Sequence, residues 1–261
     1  MVNRFAMFKV FLNSFFIQSA WSFEKMQGLG FAAAITPALQ DIYKKDNDQL
    51  CTAISRHMVF YNAHPYMASP ILGAVIKMEE DIREGERDVK DISSFKESLI
   101  GPYGAIGDTF FWGSIRPLSS IIGVLSALFW GIWGAVIFLI VYNIFHLWMR
   151  WFGLQKGYKL GEGIVEYIQS LALPQWASRI RLVSAGLLGG AAAVVVFKGI
   201  DIVLGQTVQA YQAFLTTILI AGAVVLCALL IKNRVSISLA VYLLFLPAFI
   251  FLIIMDILKR V

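Results

Sequence analysis

From residue 118 to residue 149 the chain carries no Asp, Glu, Lys or Arg, and no other feature restricts its fold as tightly. A helix needs roughly 20 mainly apolar residues to cross about 30 Å of hydrocarbon, so this run is long enough to cross with tilt. Trp130, Trp133, Tyr142 and Trp148 lie within it, amphipathic rings of the kind that settle at membrane interfaces. Further apolar stretches follow at residues 182–197, 210–231 and 235–257. The fold class expected is an all-α integral membrane protein with about four C-terminal spanning helices. The composition agrees: 58% of residues are hydrophobic and 15% charged, where a soluble domain is roughly a quarter charged.

Charge divides the chain in two. Residues 1–117 hold 12 Lys and Arg against 13 Asp and Glu, and residues 118–261 hold 10 against 4. The expected organisation is an N-terminal helical region over 1–117, with amphipathic, broken and re-entrant segments, and a transmembrane region over 118–261 with a basic loop at 150–181. The positive-inside rule places that loop on the cytoplasmic side. Lys232 and Arg234 agree with this orientation, and Lys259 and Arg260 oppose it. No basic run is interleaved with stacking aromatics, so nucleic acid is not an expected partner; a basic, apolar half fits loops beside lipid head groups. Two cysteines, Cys51 and Cys227, are too few and too far apart for a disulfide framework or a Cys-based metal site. No A-x-A-like cleavage site follows the first apolar stretch, so a removed signal peptide is not expected.

In the N-terminal half, residues 5–31 are rich in Phe, Leu, Ile and Trp but interrupted. Ser14, Gln18, Ser22 and Lys25 are spaced as one polar stripe of a helix. Residues 79–91 hold seven acids and three bases, and the spacing of Glu79/Arg83 and Glu86/Lys90 predicts a solvated helix with i,i+4 pairs.

Three stretches could carry chemistry. In RHMVFYNAHPYMASP (56–70), Pro65 biases His64 toward extended backbone, so the preceding helix is expected to end near Asn62. Asn62 and His64 then stand at a helix break, as a cap and turn or as a hydrogen-bonding station for a polar ligand; broken helices at membrane depth survive where protein or a wet cavity satisfies them. No HExxH-type spacing accompanies the histidines, so no metal is expected. SPILGAVIKMEE (69–80) is too short to span and suits a re-entrant half-helix. There Glu79 could meet sugar hydroxyls, and Glu80 belongs with the solvated acidic face. In GPYGAIGDTFFWGSIRP (101–117) the glycines lack the spacing of a nucleotide loop. Asp108 could cap the following helix, with Arg116 to neutralise it, or could line a ligand path, because an ionised group at membrane depth costs about 2.5–3.5 kcal/mol on insertion scales and its retention implies a partner or a task. A carboxylate beside an aromatic face such as Trp112 is also how a pocket grips a pyranose. Gly123, Gly131, Gly134, Gly186, Gly189 and Gly190 could permit close helix contacts.

The order of these stretches resembles the IID membrane component of the mannose/fructose/sorbose family of bacterial phosphotransferase systems. The matching segments are SFFIQSAWSFEKMQGLGFAAAITPAL, RHMVFYNAHPYMASPILGAVIKMEE, LIGPYGAIGDTFFWGSIRP and FGLQKGYKLG, in family order from near residue 14 to about 161. Thr109 departs from the pattern, which carries proline there. The resemblance implies a multi-pass protein of the bacterial inner membrane that pairs with a IIC subunit to conduct hexose, while cytoplasmic IIA and IIB pass phosphate to the incoming sugar; a higher oligomer of IIC–IID pairs is expected. It implies no phosphorylated histidine in this chain, so that His64 is structural or ligand-facing; no cofactor is expected, and Asn62, His64, Glu79, Asp108 and Trp112 are the candidate substrate-binding residues. A scaffold without ligand contacts is the competing reading. An intramembrane enzyme lacks support, because no Ser/His/Asp or metal set stands at useful spacing; the chain has no complete active site of its own, and its part in catalysis would be that of one subunit of a phosphotransferase complex.

Overall fold

A computed structural model describes residues 1–203, with side chains through residue 190. Every regular element among the described residues is helical. The expected spans at 210–231 and 235–257, with Cys227 and the charges at 232–234, 259 and 260, lie outside the described residues.

Helix α1 (Arg4–Asn13) starts on Asn3, whose side chain accepts the Ala6 amide at 2.7 Å. It does not continue along the polar stripe expected of residues 14–25. Ser14–Phe16 form a 3-10 turn, and the chain then runs irregularly to Gln27. The cause is packing: the Ser14 carbonyl accepts from the Arg150 guanidinium, and Gly30 approaches so closely that a Cβ there would overlap the Ile17 carbonyl. Helix α2 (Gly28–Ile42) contains Pro37, which leaves the Ala33 carbonyl without its helical donor. The Asn13 amide supplies that donor at 3.3 Å, tying α1 to α2.

Helix α3 (Asn47–His57) is capped by Asp46, which accepts the Gln49 amide at 2.9 Å. It ends five residues earlier than the Pro65 effect predicts. Residues 58–63 leave the helix to pair with residues 25–27, the Gln27 amide donating to the Tyr61 carbonyl at 2.8 Å, so backbone pairing ends the helix before proline acts. Helix α4 (Ala68–Glu84) carries Pro70 in its first turn, where a missing N–H is harmless. It is a 17-residue helix, buried over most of its length from Ala68 to Glu80. Gly85 closes it in the left-handed region at φ 81°, and Asp88 caps α5 (Val89–Gly107). Residues 79–91 are thus a helix–turn–helix, and the predicted i,i+4 pairs give way to Lys77–Asp81 at 2.7 Å and Arg87–Glu162 at 2.6 Å.

From α5 the helical course passes without a break through a widened π segment (Asp108–Ile115) into α6 (Arg116–Trp130). Ser114 marks the widening by donating to the Thr109 carbonyl five residues back, at 2.8 Å, the register of a π-turn. The uncharged run 118–149 is not one span: Gly131, at φ 56°, folds it into a hairpin of α6 and α7 (Trp133–Leu160). Gly123 and Gly134 seat the two arms backbone to backbone, whereas Gly131 serves the turn and a Cβ at Gly186, Gly189 or Gly190 would meet nothing within 4 Å among the described residues. The expected basic loop 150–181 is also helical, made of the end of α7, α8 (Ile164–Ser170) and the start of α9 (Leu173–Val203). Two helical stretches, Val89–Trp130 and Trp133–Gly190, are long and apolar enough to cross a bilayer.

Candidate functional site

Two polar clusters are built into the helices, and the predicted residues divide between them. The first surrounds Glu79 on α4, which is fully buried. Its carboxylate receives the Tyr43 hydroxyl at 2.8 Å and lies 2.9 Å from His57 Nε2 and 3.5 Å from Arg56 Nε. Burial pushes His57 down to about 4 against the pull of its bond to Glu79, so at neutral pH it donates as a neutral ring. Lys96 of α5 closes the cluster, buried, without a hydrogen-bond partner among the described residues, its ammonium 4.3 Å from the centre of the Phe31 ring. Such a carboxylate has no free face for a ligand. Glu79, expected to contact substrate, is thus buried and occupied by the side chains of Tyr43, Arg56 and His57. Glu80, expected in solvent, is also buried and receives the Tyr158 hydroxyl at 2.9 Å.

The second cluster brings His64 against Phe111 and Trp112, with Asn62 two residues before it in the chain and Asp108 next to Gly107, which the imidazole overlies. His64 stacks on Phe111 at 5.2 Å and meets the edge of Trp112 at 4.8 Å between ring centres. Gly107 makes room for it, since a Cβ there would overlap the imidazole. His64 Nδ1 accepts the Tyr66 amide at 3.3 Å, which puts the proton of the neutral ring on Nε2, and that atom is buried with no partner. Burial, then Arg150 and His146, push this histidine down to about 3. Asn62, Asp108 and Trp112 are exposed, Trp112 at 44%. Asp108 caps no helix, because the helix runs through it, and it makes no ion pair with Arg116 among the described residues. Asp108 and Trp112 thus stand exposed four residues apart on one helical course, with Trp112 against His64, whose Nε2–H has no partner among the described residues.

There is also a relay that the sequence reading missed. Arg150 is buried on α7, donating from Nε to His146 Nε2 at 2.8 Å and from Nη1 to the Ser14 hydroxyl at 3.0 Å. His146 must then carry its proton on Nδ1, which donates to Asn143 Oδ1 at 3.1 Å. The Tyr66 ring sits 4.1 Å from that of His146, and its hydroxyl bonds Tyr142 at 2.8 Å. The available signal was the i,i+4 spacing of His146 and Arg150 on an otherwise apolar helix.

The model of the mannose/fructose/sorbose family IID component of the phosphotransferase system matches residues 2–258. The chain belongs to this family. It is 38% identical over 158 residues to the mannose-specific EIID component of Escherichia coli K12, covering 60% of this chain and 56% of that one, so the match spans little more than half of that relative. It is 30% identical to the sorbose-specific EIID component of Lacticaseibacillus casei over 252 residues, 92% of this chain and 89% of that one. Among solved structures it is similar to a chain of the mannose transporter ManYZ bound to microcin E492, with a TM-score of 0.59, 27% identity and coverage of 95% and 96%. A structure described only as a membrane protein gives a TM-score of 0.66 at 32% identity, covering 75% of this chain and 70% of that one. This IID chain is accordingly a membrane protein, and its four motif segments stand where the clusters do: the second and third motifs build the His64 face, and the fourth packs α7 on α4.

Proposed function

We propose that this IID chain is a multi-pass subunit of the bacterial inner membrane that forms, with a IIC-type subunit, the path for hexose uptake, while IIA and IIB components phosphorylate the incoming sugar. The observation that carries this reading is the likeness to a ManYZ chain over 95% of this chain. The His64 face supports it. Asn62 and Asp108 offer hydrogen bonds to hydroxyls, and Trp112, against His64, offers a flat apolar surface to a sugar C–H face. An exposed carboxylate on a long apolar helix requires water or a second polypeptide to solvate it, and a sister subunit laid over this face would supply the missing wall. Phosphorylation then traps the product, because its charge disfavours return through hydrocarbon. A higher oligomer of such pairs is compatible with this arrangement.

In cells lacking other hexose permeases, co-expression of this chain with IIC, IIB and IIA partners is expected to restore uptake of at least one labelled hexose among mannose, fructose and sorbose. Omitting this chain alone should abolish uptake and the recovery of IIC in a purified complex. Undiminished uptake without this chain would defeat the reading.

A further inference from the structure

The end of α7 forms a cleft against α4 that the transport path does not use. Every exposed side chain from Ala135 to Phe152 is apolar, including Val136, Ile140, Ile144 and Phe152. At 1.5 Å per residue, Trp133 to Phe152 measures about 28 Å, close to the roughly 30 Å hydrocarbon core of a bilayer. Lys156, one turn further, is the first exposed charge on this helix, followed by Lys159. With Lys77 of α4 these lysines line a cleft of about 480 Å³ whose floor includes Phe152 and Gln155.

The charges are not equivalent. Lys77 is paired with Asp81 at 2.7 Å, and Glu80 on the cleft wall is occupied by the Tyr158 hydroxyl. Lys156 and Lys159 make no ion pair among the described residues; the Lys156 ammonium rests 5.4 Å from the centre of the Tyr167 ring. The cleft is thus apolar at its base, cationic at its rim and set where hydrocarbon gives way to head groups. A soluble anion would gain from the rim but not from the base. A phospholipid uses both.

We propose that this cleft seats an anionic phospholipid, its phosphate between Lys156 and Lys159 and an acyl chain along Phe152. Juxtamembrane basic residues near an anionic surface are each worth about 1 kcal/mol, so two of them correspond to roughly 25-fold in preference at 1.4 kcal/mol per tenfold. The test is native mass spectrometry of the full-length chain in micelles containing equal phosphatidylglycerol and phosphatidylcholine. The wild type should retain phosphatidylglycerol preferentially. K156Q/K159Q should lose most of that preference, and K156R/K159R should keep it. Equal retention of the two lipids, or an unchanged preference in K156Q/K159Q, overturns the proposal. Displacement of the lipid by millimolar inorganic phosphate would overturn it in favour of a soluble-anion site. Cross-linking of Lys156 and Lys159 to a co-purifying protein would overturn it in favour of a protein interface.

Discussion

Glu79→Ala is expected to lower stability by about 3–5 kcal/mol, the usual cost of leaving buried partners of an ion pair uncompensated. Three groups converge on this carboxylate: the Tyr43 hydroxyl from the end of α2, and His57 Nε2 and the Arg56 guanidinium from the last turn of α3. Truncation strands all of them in the interior, close to a Lys96 ammonium that already has no hydrogen-bond partner among the described residues. Glu79→Gln should fall between wild type and alanine, since the amide oxygen still accepts from tyrosine but no longer balances charge. Thermal unfolding of the purified chain in detergent measures both. An unchanged melting temperature for Glu79→Ala would remove Glu79 from the structural role assigned to it.

Gly157→Leu is expected to be the more disruptive change. Gly153 and Gly157 stand one turn apart on α7 and Gly73 faces them from α4; a Cβ at Gly157 would overlap the Pro70 carbonyl, and one at Gly73 the Leu154 carbonyl. Backbone meets backbone, so no flexible side chain can yield, and overpacking should exceed its ordinary cost of about 1–3 kcal/mol. Monodisperse protein recovered by size-exclusion chromatography should fall to under about a tenth of wild type, because separating α4 from α7 exposes the core. Gly186→Leu, where a Cβ would meet nothing within 4 Å among the described residues, is the matched control and should be recovered normally. Normal recovery of both variants would show that α4 and α7 do not depend on this contact.

Much of the helical class was legible because apolar run length reports directly on bilayer thickness, and the motif order pointed to the family. What escaped the sequence was where helices break and which charges go inside. The run 118–149 reads as one span by composition, yet a single glycine at φ 56° halves it. Arg150 reads as the first charge of a loop, whereas of its partners Ser14 lies far away in the chain and His146 stands one turn back within the uncharged run. Glu79 and Glu80 sit at the head of an acidic run, and periodicity alone could not show that Tyr43 and Tyr158 draw both inward. His64, Asp108 and Trp112 were nominated separately. The contact of His64 with Trp112 depends on Gly107, whose missing side chain admits the imidazole.

The initial rate of labelled-hexose uptake by Asp108→Asn, in cells carrying the IIC, IIB and IIA partners, tests the account most directly. Asn is nearly isosteric and Asp108 is exposed, so assembly with IIC should be undiminished while uptake falls by roughly tenfold or more, as expected when a site loses a polar group placed to hold its ligand. Wild-type uptake by a normally assembled Asp108→Asn complex would contradict it, leaving the His64 face as a packing surface and not a wall of the sugar path.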